Sequence, residues 1–432
     1  DTYLLTSSIQ LQEQYLSTSP SVIDIKGKSN YKCRLNPIFN TDAAPCAANP
    51  KLKAMCKKAP VGEGCEYYER KAEAIGSGVM LTNYVFFLYS IHCGILSNGE
   101  HDDIKKRSVI IMDEAHNVEA NLISFAEFHV CLDDIVKKYG ICRNLQFTRN
   151  DEENLKIVDE IEGALAGEIA FLKDKIEEAI GGEMPTTGLR QWAKNFSAKT
   201  QDKVSKLNSK MYALDKLLQP IKTYKKNPHA QWIIKSDFEK NSITLTPYKA
   251  DFLFHDMIKP KGDKFVFMSA TIDPDSIASE LGIDRKEIWV IETDTPFPAD
   301  ASPIIIDAKL KMGYKNLEET KPKIIPIINE ILRLHRGEKG IIHCGNYKIA
   351  DFIFNSSSPH HNRFVYRDMH GPASRKHNIE LVKIHTNGKN TVLLSPSMQE
   401  GVDLYDDLAR FQIILKMPWT SLEDFRTSVK AE

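Results

Sequence analysis

Two neighbouring acids, Asp113 and Glu114, follow the continuous apolar run Val109-Ile110-Ile111-Met112. A short run of this kind reads as a parallel strand covered on both faces. In open α/β sheets, ligands bind beyond the carboxyl ends of the strands. Paired acids there suit phosphate chemistry. One holds Mg²⁺ through water, and the other positions and polarises the attacking water. By analogy, Asp113 takes the metal and Glu114 the water. His116 stands close by, with a second ring nitrogen free to link this site to a neighbouring loop. These three are the candidate catalytic residues. The plain alternative is an acidic strand end that caps the next helix.

A second constellation is made of cysteines. Four of the eight fall in one stretch, Cys33, Cys46, Cys56 and Cys65, with the spacing C-x12-C-x9-C-x8-C. Cys93, Cys131, Cys142 and Cys344 are scattered and read as plain thiols. In a large chain with no export signal, such a cluster points to metal before disulfides. Structural zinc sites usually bring paired C-x2–4-C knuckles, which are missing here. Separated thiolates can instead wrap a [4Fe–4S] cluster. A zinc ribbon and four unligated cysteines remain open on spacing alone. Residues 26–71 hold ten Lys/Arg against four Asp/Glu, enough to offset a thiolate-bound cluster or face a phosphate backbone.

The surrounding elements must position these groups. Tyr3-Leu4-Leu5-Thr6 reads as a strand entering a polar loop, with a helix through Gln10, Leu11 and Tyr15. Residues 26–71 have little apolar periodicity and need a staple other than a core. From 117 to 222 the chain is mostly helical. Ile157 to Ile180 and Val204 to Ile221 repeat apolar residues every three or four positions, with a Gly/Pro-rich break at 181–188. That pattern predicts two long amphipathic helices, antiparallel to each other. Trp232-Ile233-Ile234 and Ile243-Thr244-Leu245 are expected as short strands leading back to the first core. Lys264 to Met268 is a further strand, ending in Ser269-Ala270-Thr271. From about 303 the alternation restarts, with strands expected at 304–306, 340–343, 364–366, 391–394 and 411–415. Alternation of this kind predicts a second doubly wound parallel sheet.

The bulk numbers fit this α/β reading. The chain has 432 residues, 42% of them hydrophobic, and a formal net charge of −1. That length suggests about three structural units. Any nucleic-acid site must therefore come from local basic patches. No apolar run approaches the ~20 residues of a membrane span. The first residues lack the features of a secretory leader. A cytoplasmic location is expected, or a nuclear one in a eukaryote, with no membrane partner.

Beyond single sites, the order of motifs resembles the XPD/DinG family of iron–sulfur superfamily 2 DNA helicases. Lys26-Gly27-Lys28-Ser29-Asn30-Tyr31-Lys32-Cys33 resembles the entry to that family's cluster domain, and Cys65-Glu66-Tyr67-Tyr68 with Thr82-Asn83-Tyr84 its exit. Thr6 to Leu11 with Gln14 resembles motif Ia, and Asp113-Glu114-Ala115-His116 is the DEAH form of motif II. Ser269-Ala270-Thr271 matches motif III, and Pro296-Phe297-Pro298 resembles the link between the motors. His343-Cys344-Gly345-Asn346-Tyr347 occupies motif IV but departs from its usual serine/threonine-rich form. Glu400-Gly401-Val402-Asp403-Leu404, the strand at 411–415 and Lys416-Met417-Pro418-Trp419 match motif V and its surroundings.

The resemblance implies two RecA-like motors, with a cluster domain and a helical arch inserted in the first. The expected boundaries are 1–25, 72–116 and 241–297 for the first motor, 26–71 for the cluster domain, 117–240 for the arch and 298–432 for the second motor. It implies ATP-driven movement along single-stranded or forked DNA, typically 5′ to 3′, with the strand passing between cluster domain and arch. Cys33, Cys46, Cys56 and Cys65 become [4Fe–4S] ligands. Ser269, Thr271, Gly401 and Asp403 become nucleotide-facing residues, and Mg²⁺ accompanies the ATP. Thr6, Gln10, Lys28 and Tyr31 are the candidate strand contacts, with packing an equal alternative for Tyr31.

The 432 residues contain no G-x-x-x-x-G-K-[ST] loop to cradle the β/γ-phosphates. We expect that loop in flanking sequence before motif Ia, and the arginine-finger motif after motif V. The alternative is a remnant that binds single strands without hydrolysing ATP. An RNA helicase would share the acid pair but has no reason to carry the cysteine insertion.

Overall fold

The computed structural model describes all residues except 35–36, 38–39, 45, 47–49, 95, 97–103, 181–197, 296–297, 299–302, 308–309, 311, 313–315, 367–374, 397–403 and 417–432. Two units emerge, one spanning Asp1–Val290 and one beginning at Ile291.

The first unit opens with strand β1 (Thr2–Thr6), helix α1 (Ile9–Thr18) and strand β2 (Ile23–Asp24). Helices α2 (Pro50–Lys58) and α3 (Glu66–Gly76) belong to the cysteine stretch. Then come β3 (Val79–Asn83), α4 (Tyr84–His92) and β4 (Arg107–Asp113). A long insertion holds α5 (Val118–Ala126), β5 (Phe128–Cys131), α6 (Leu132–Tyr139), α7 (Asp151–Ile180), α8 (Ala198–Lys226), β6 (Trp232–Asp237) and β7 (Ser242–Pro247). The chain returns through β8 (Gly262–Met268) to α9 (Pro274–Leu281).

Five parallel strands make the first sheet, in the order β2-β3-β1-β4-β8. Leu4 pairs with Leu81 on one side and Ile111 on the other, which puts β1 at the centre. Leu5, Leu81, Ile110 and Met112 are fully buried, as their continuous apolar runs predict. Each such side chain contributes roughly 1.5–3 kcal/mol by leaving water. At the start of β8 the backbone comes very close to β4. A β carbon on Gly262 would stand 2.7 Å from the Ile110 side chain.

Arg107, at the foot of β4, is 1% exposed. Its guanidinium donates to the carbonyls of Thr2, Ser77 and Gly78 and to Ala74 and Ile75 at the end of α3. The charge is therefore met by oxygens of β1, α3 and the turn into β3, and by the negative end of a helix. Arg107→Met should cost about 3 kcal/mol, because several buried carbonyls lose their donor. A denaturant midpoint unchanged from wild type would contradict this.

The insertion carries its own core. Ile161, Leu165, Leu214, Leu218, Ile243 and Leu245 are buried together. Lys210 pairs with Glu168 at 2.7 Å and Lys225 with Asp159 at 2.7 Å, so α7 and α8 run antiparallel as expected. Residues 232–234 and 243–245 are strands as expected, but they do not join the first sheet. They form an antiparallel sheet of their own, in the order β5-β7-β6. Their alternating residues cover the helical pair, so the small sheet belongs to the insertion. The break at 181–188 lies outside the described residues.

The second unit contains α10 (Leu317–Leu334), β9 (Gly340–His343), α11 (Tyr347–Phe354), β10 (Phe364–Val365), α12 (Arg375–Asn387), β11 (Val392–Ser395) and β12 (Phe411–Ile414). Its four parallel strands lie in the order β10-β11-β9-β12. The strand expected at 304–306 is corrected: Ile304, Ile305 and Ile306 are exposed and outside any ladder among the described residues. An apolar triplet reads as a buried strand only where a neighbour offers free backbone groups. Arg363 repeats the device of Arg107. It donates to the carbonyls of Leu332, His335, Glu338 and Asn390.

Candidate nucleotide site and cysteine pocket

Asp113 ends β4 and is fixed from three sides. The Tyr84 hydroxyl donates to its carbonyl at 2.7 Å. The Tyr15 hydroxyl donates to carboxylate Oδ2 at 3.1 Å, and the Glu114 backbone N–H donates to Oδ1 at 3.0 Å. Burial, then the charge of Asp113, pushes the Tyr15 pKa up to about 12. Burial first and Asp113 next push Tyr84 well above its ordinary value. Both tyrosines are thus standing donors at neutral pH.

Glu114 adopts a left-handed backbone, with φ 51° and ψ 49°. For a residue with a β carbon this costs on the order of 1 kcal/mol, and such outliers gather at functional sites. It turns the chain sharply after the strand, so Glu114 and His116 both stand at the carboxyl edge of the sheet. His116 Nε2 faces the Asn117 amide at 3.0 Å, and an amide nitrogen can only donate. Nδ1 therefore carries the proton and donates to Ser269 Oγ at 2.8 Å. Glu114 Oε2 lies 3.4 Å from the same nitrogen. Ser269 Oγ also accepts from the Thr271 backbone N–H at 3.3 Å. Asp113 pairs with Met268 in the β4–β8 register, which is why these loops meet.

The structure therefore gathers Asp113, Glu114, His116, Ser269 and Thr271 at one sheet edge. Gly401 and Asp403 lie outside the described residues, as do Pro296-Phe297, Glu400 and Met417-Pro418-Trp419. In the second unit, His343 ends β9, Cys344 follows it, and Asn346 caps α11 by accepting from the Ile349 N–H. Sequence reasoning gave Tyr15 no role at this site. Gln12 was missed too. It is fully buried and bridges the carbonyl of Ile25 and the amide of Asn83. No single-residue pattern marks either one; only the register of β1, β3 and β4 brings them in.

The four candidate strand contacts separate. Thr6 is fully buried and its hydroxyl donates to the Ser8 carbonyl. Its side chain takes the inward pleat of β1. Gln10 is half-buried in the first turn of α1. Tyr31 stacks edge-on against Tyr67 at 5.6 Å, and its hydroxyl accepts from the Lys26 N–H. That is the packing alternative. Lys28 sits 5.5 Å from the Tyr67 ring centre and 5.7 Å from that of Tyr68.

Cys33, Cys46, Cys56 and Cys65 are all buried and share one hydrophobic cluster. Cys46 and Cys56 hydrogen-bond each other, and this bond with burial raises the Cys46 thiol well above its usual range. Burial likewise raises Cys65, which opens α3. Lysines crowd the same place. Burial lowers Lys71 to about 8, helped by the charges of Lys57, Lys53 and Lys28. Lys28 is lowered by burial and then by Lys53, against the pull of Cys46 and Cys65. Mutually repelling lysines around four buried thiols suit an anionic thiolate-bound group, so the donor chemistry fits a metal cluster. Among the described residues, however, no group of three or more His, Cys, Asp or Glu side chains is arranged to hold a metal ion. The thiols share a pocket without forming a coordination shell.

Two family models match parts of the chain, and one solved structure shares its fold. The DEAD_2 family model matches residues 28–135, and the helicase C-terminal domain model matches residues 328–432. A solved structure titled "XPD_Helicase" is similar with a TM-score of 0.52 and 10% identity, covering 97% of this chain and 77% of that one. A structure titled "XPD_APO" matches at TM-score 0.42 and 11% identity, over 100% and 83% of the two chains. A third, from S. tokodaii, is titled for Xpd4 and matches at TM-score 0.37 and 11% identity, over 99% and 82%. No curated protein sequence matches. Two RecA-like parallel-sheet motors, with a DEAH sequence at one sheet edge, define a superfamily 2 helicase. Within that superfamily its fold is similar to that of the structure titled "XPD_Helicase". No described helix is long and apolar enough to cross a membrane.

Proposed function

We propose that this protein couples ATP hydrolysis to 5′-to-3′ movement along single-stranded DNA and parts the duplex at a cysteine-pinned wedge. The observation that carries the reading is the hydrogen bond between His116 and Ser269, which joins the acid pair of β4 to the loop after β8. Asp113, with both oxygens already oriented by donors, would hold Mg²⁺, which would supply positive charge to the phosphates when bound. Glu114 accepts a proton from the attacking water as the water oxygen bonds to the γ-phosphorus and the bond to the β–γ bridging oxygen breaks, releasing ADP and phosphate. His116 and Ser269 carry the change in that site toward Thr271 and α9. Ser269, Thr271, Gly401 and Asp403 face the nucleotide. Gln10 and Lys28 take the strand.

Cys33, Cys46, Cys56 and Cys65 would hold the [4Fe–4S] cluster. When bound, that group pins a segment too poor in apolar residues to pack by itself. The proposed limits are 26–71 for this domain and 117–247 for the arch, which is extended from 240 to take in β7, the middle strand of its small sheet.

The test uses the full-length protein with matched substrates. Single-stranded DNA should stimulate ATP hydrolysis well above RNA of the same sequence, and a fork with a 5′ tail should be unwound. Stronger stimulation by RNA, or unwinding from a 3′ tail alone, would overturn the substrate or polarity assigned here.

A further inference from the structure

The carboxylate of Asp113 takes a donor on each oxygen, and the two donors have different origins. The Glu114 N–H on Oδ1 comes from the next residue and moves with it. The Tyr15 hydroxyl on Oδ2 comes from α1, 98 positions away in sequence. Removing Tyr15 would leave the carboxylate free to rotate about its last bond, because one backbone N–H cannot fix both oxygens.

Tyr15 itself is well placed to transmit movement. Its ring packs against the apolar group of Leu4, Val22 and Leu81, so it follows α1 and the centre of the sheet. Helix α1 starts at the carboxyl edge of β1, capped by Ser8 Oγ accepting from the Leu11 N–H at 3.2 Å. Gln10 stands in its first turn and Tyr15 more than a turn further on. One end of this helix therefore lies at the loop edge where a strand would run, and its middle reaches the acid pair. Gln12, buried between them, locks the helix to Asn83 at the end of β3. A shift of α1 must then reach Tyr15 as a rigid movement.

We propose that Tyr15 is a positioning residue that couples strand contact along α1 to the metal-holding orientation of Asp113. This rests on the reading of Asp113 as the Mg²⁺ carboxylate. The device links the two ligands thermodynamically: whatever factor the strand adds to metal affinity, metal adds to strand affinity. A hydroxyl holding a metal-bound carboxylate works as an outer-shell partner, and losing one typically weakens metal binding 10- to 100-fold.

The experiment measures Mn²⁺ binding by electron paramagnetic resonance in the full-length protein with ADP, with and without a single-stranded DNA oligonucleotide. Wild type, Tyr15→Phe and Asp113→Asn are compared. In wild type the oligonucleotide should change the Mn²⁺ affinity. Tyr15→Phe should weaken Mn²⁺ about tenfold and erase the strand-dependent change. Asp113→Asn should weaken Mn²⁺ more, with or without DNA. A merely packing role for Tyr15 would leave both affinities alone, since phenylalanine keeps the ring and its contacts. Wild-type affinity and a retained strand effect in Tyr15→Phe would overturn the proposal, as would a wild type with no strand effect. Should Asp113→Asn also leave Mn²⁺ binding unmoved, the metal reading of Asp113 falls, and the role of Tyr15 falls with it.

Discussion

Glu114→Gln in the full-length protein should keep nucleotide and strand binding while lowering strand-stimulated ATP hydrolysis by about 10²- to 10⁴-fold. The amide matches the carboxylate in shape, so the left-handed turn and the backbone N–H donated to Asp113 both survive. What disappears is the negative oxygen that can accept a proton from water. The nearby His116 cannot replace it, because its Nδ1 proton is committed to Ser269 and its Nε2 to Asn117. Nucleotide affinity from fluorescence titration, set beside rapid-quench turnover, separates binding from chemistry. Hydrolysis at the wild-type rate would remove Glu114 from the catalytic role.

Cys33→Ser should strip iron from oxygen-protected protein and loosen the whole cysteine insertion. The hydrophobic cluster around Cys33 includes Cys46, Cys56, Cys65 and Tyr67, so losing the pin leaves α2 and α3 with little to hold them together. Folding energy supplied by a structural metal is on the order of 10 kcal/mol, far more than a small polar segment has to spare. Elemental analysis should find about four irons per wild-type chain, as the cluster formula requires, and almost none in the variant. Amide exchange through Tyr31–Cys33 and α3 should speed up, while β1 and β4 stay protected. Zinc in place of iron in the wild type would overturn the cluster assignment.

The sequence exposes these sites unevenly. The Val109–Met112 run and the acids after it are local signals, and β4 with its Asp113 terminus sits as expected. The periodic isoleucines of α7 and the apolar residues of α8 likewise foretell a helical pair with its own core. That Thr6 turns inward was not legible, because a motif resemblance says nothing about which side of a pleat a residue takes. The small antiparallel sheet was missed because β6 and β7 look like any short strands; only β5, more than 100 residues earlier, assigns them to the insertion. Tyr15, Gln12 and Arg107 were invisible for a related reason. A lone tyrosine, glutamine or arginine has no period, and its partner is fixed only by how the strands order themselves.

The splitting of the first sheet also sets a timetable for synthesis. β4 ends at Asp113 and its neighbour β8 begins at Gly262. Ribosomes add ~5–20 residues per second, so one edge of β4 waits about 7–30 s for its partner. The helical insertion must collapse during that wait, which its separate core allows. A nascent chain that stalls inside α7 or α8 leaves the bare edge of β4 beside a half-built hairpin, and there intermolecular strand pairing competes with maturation.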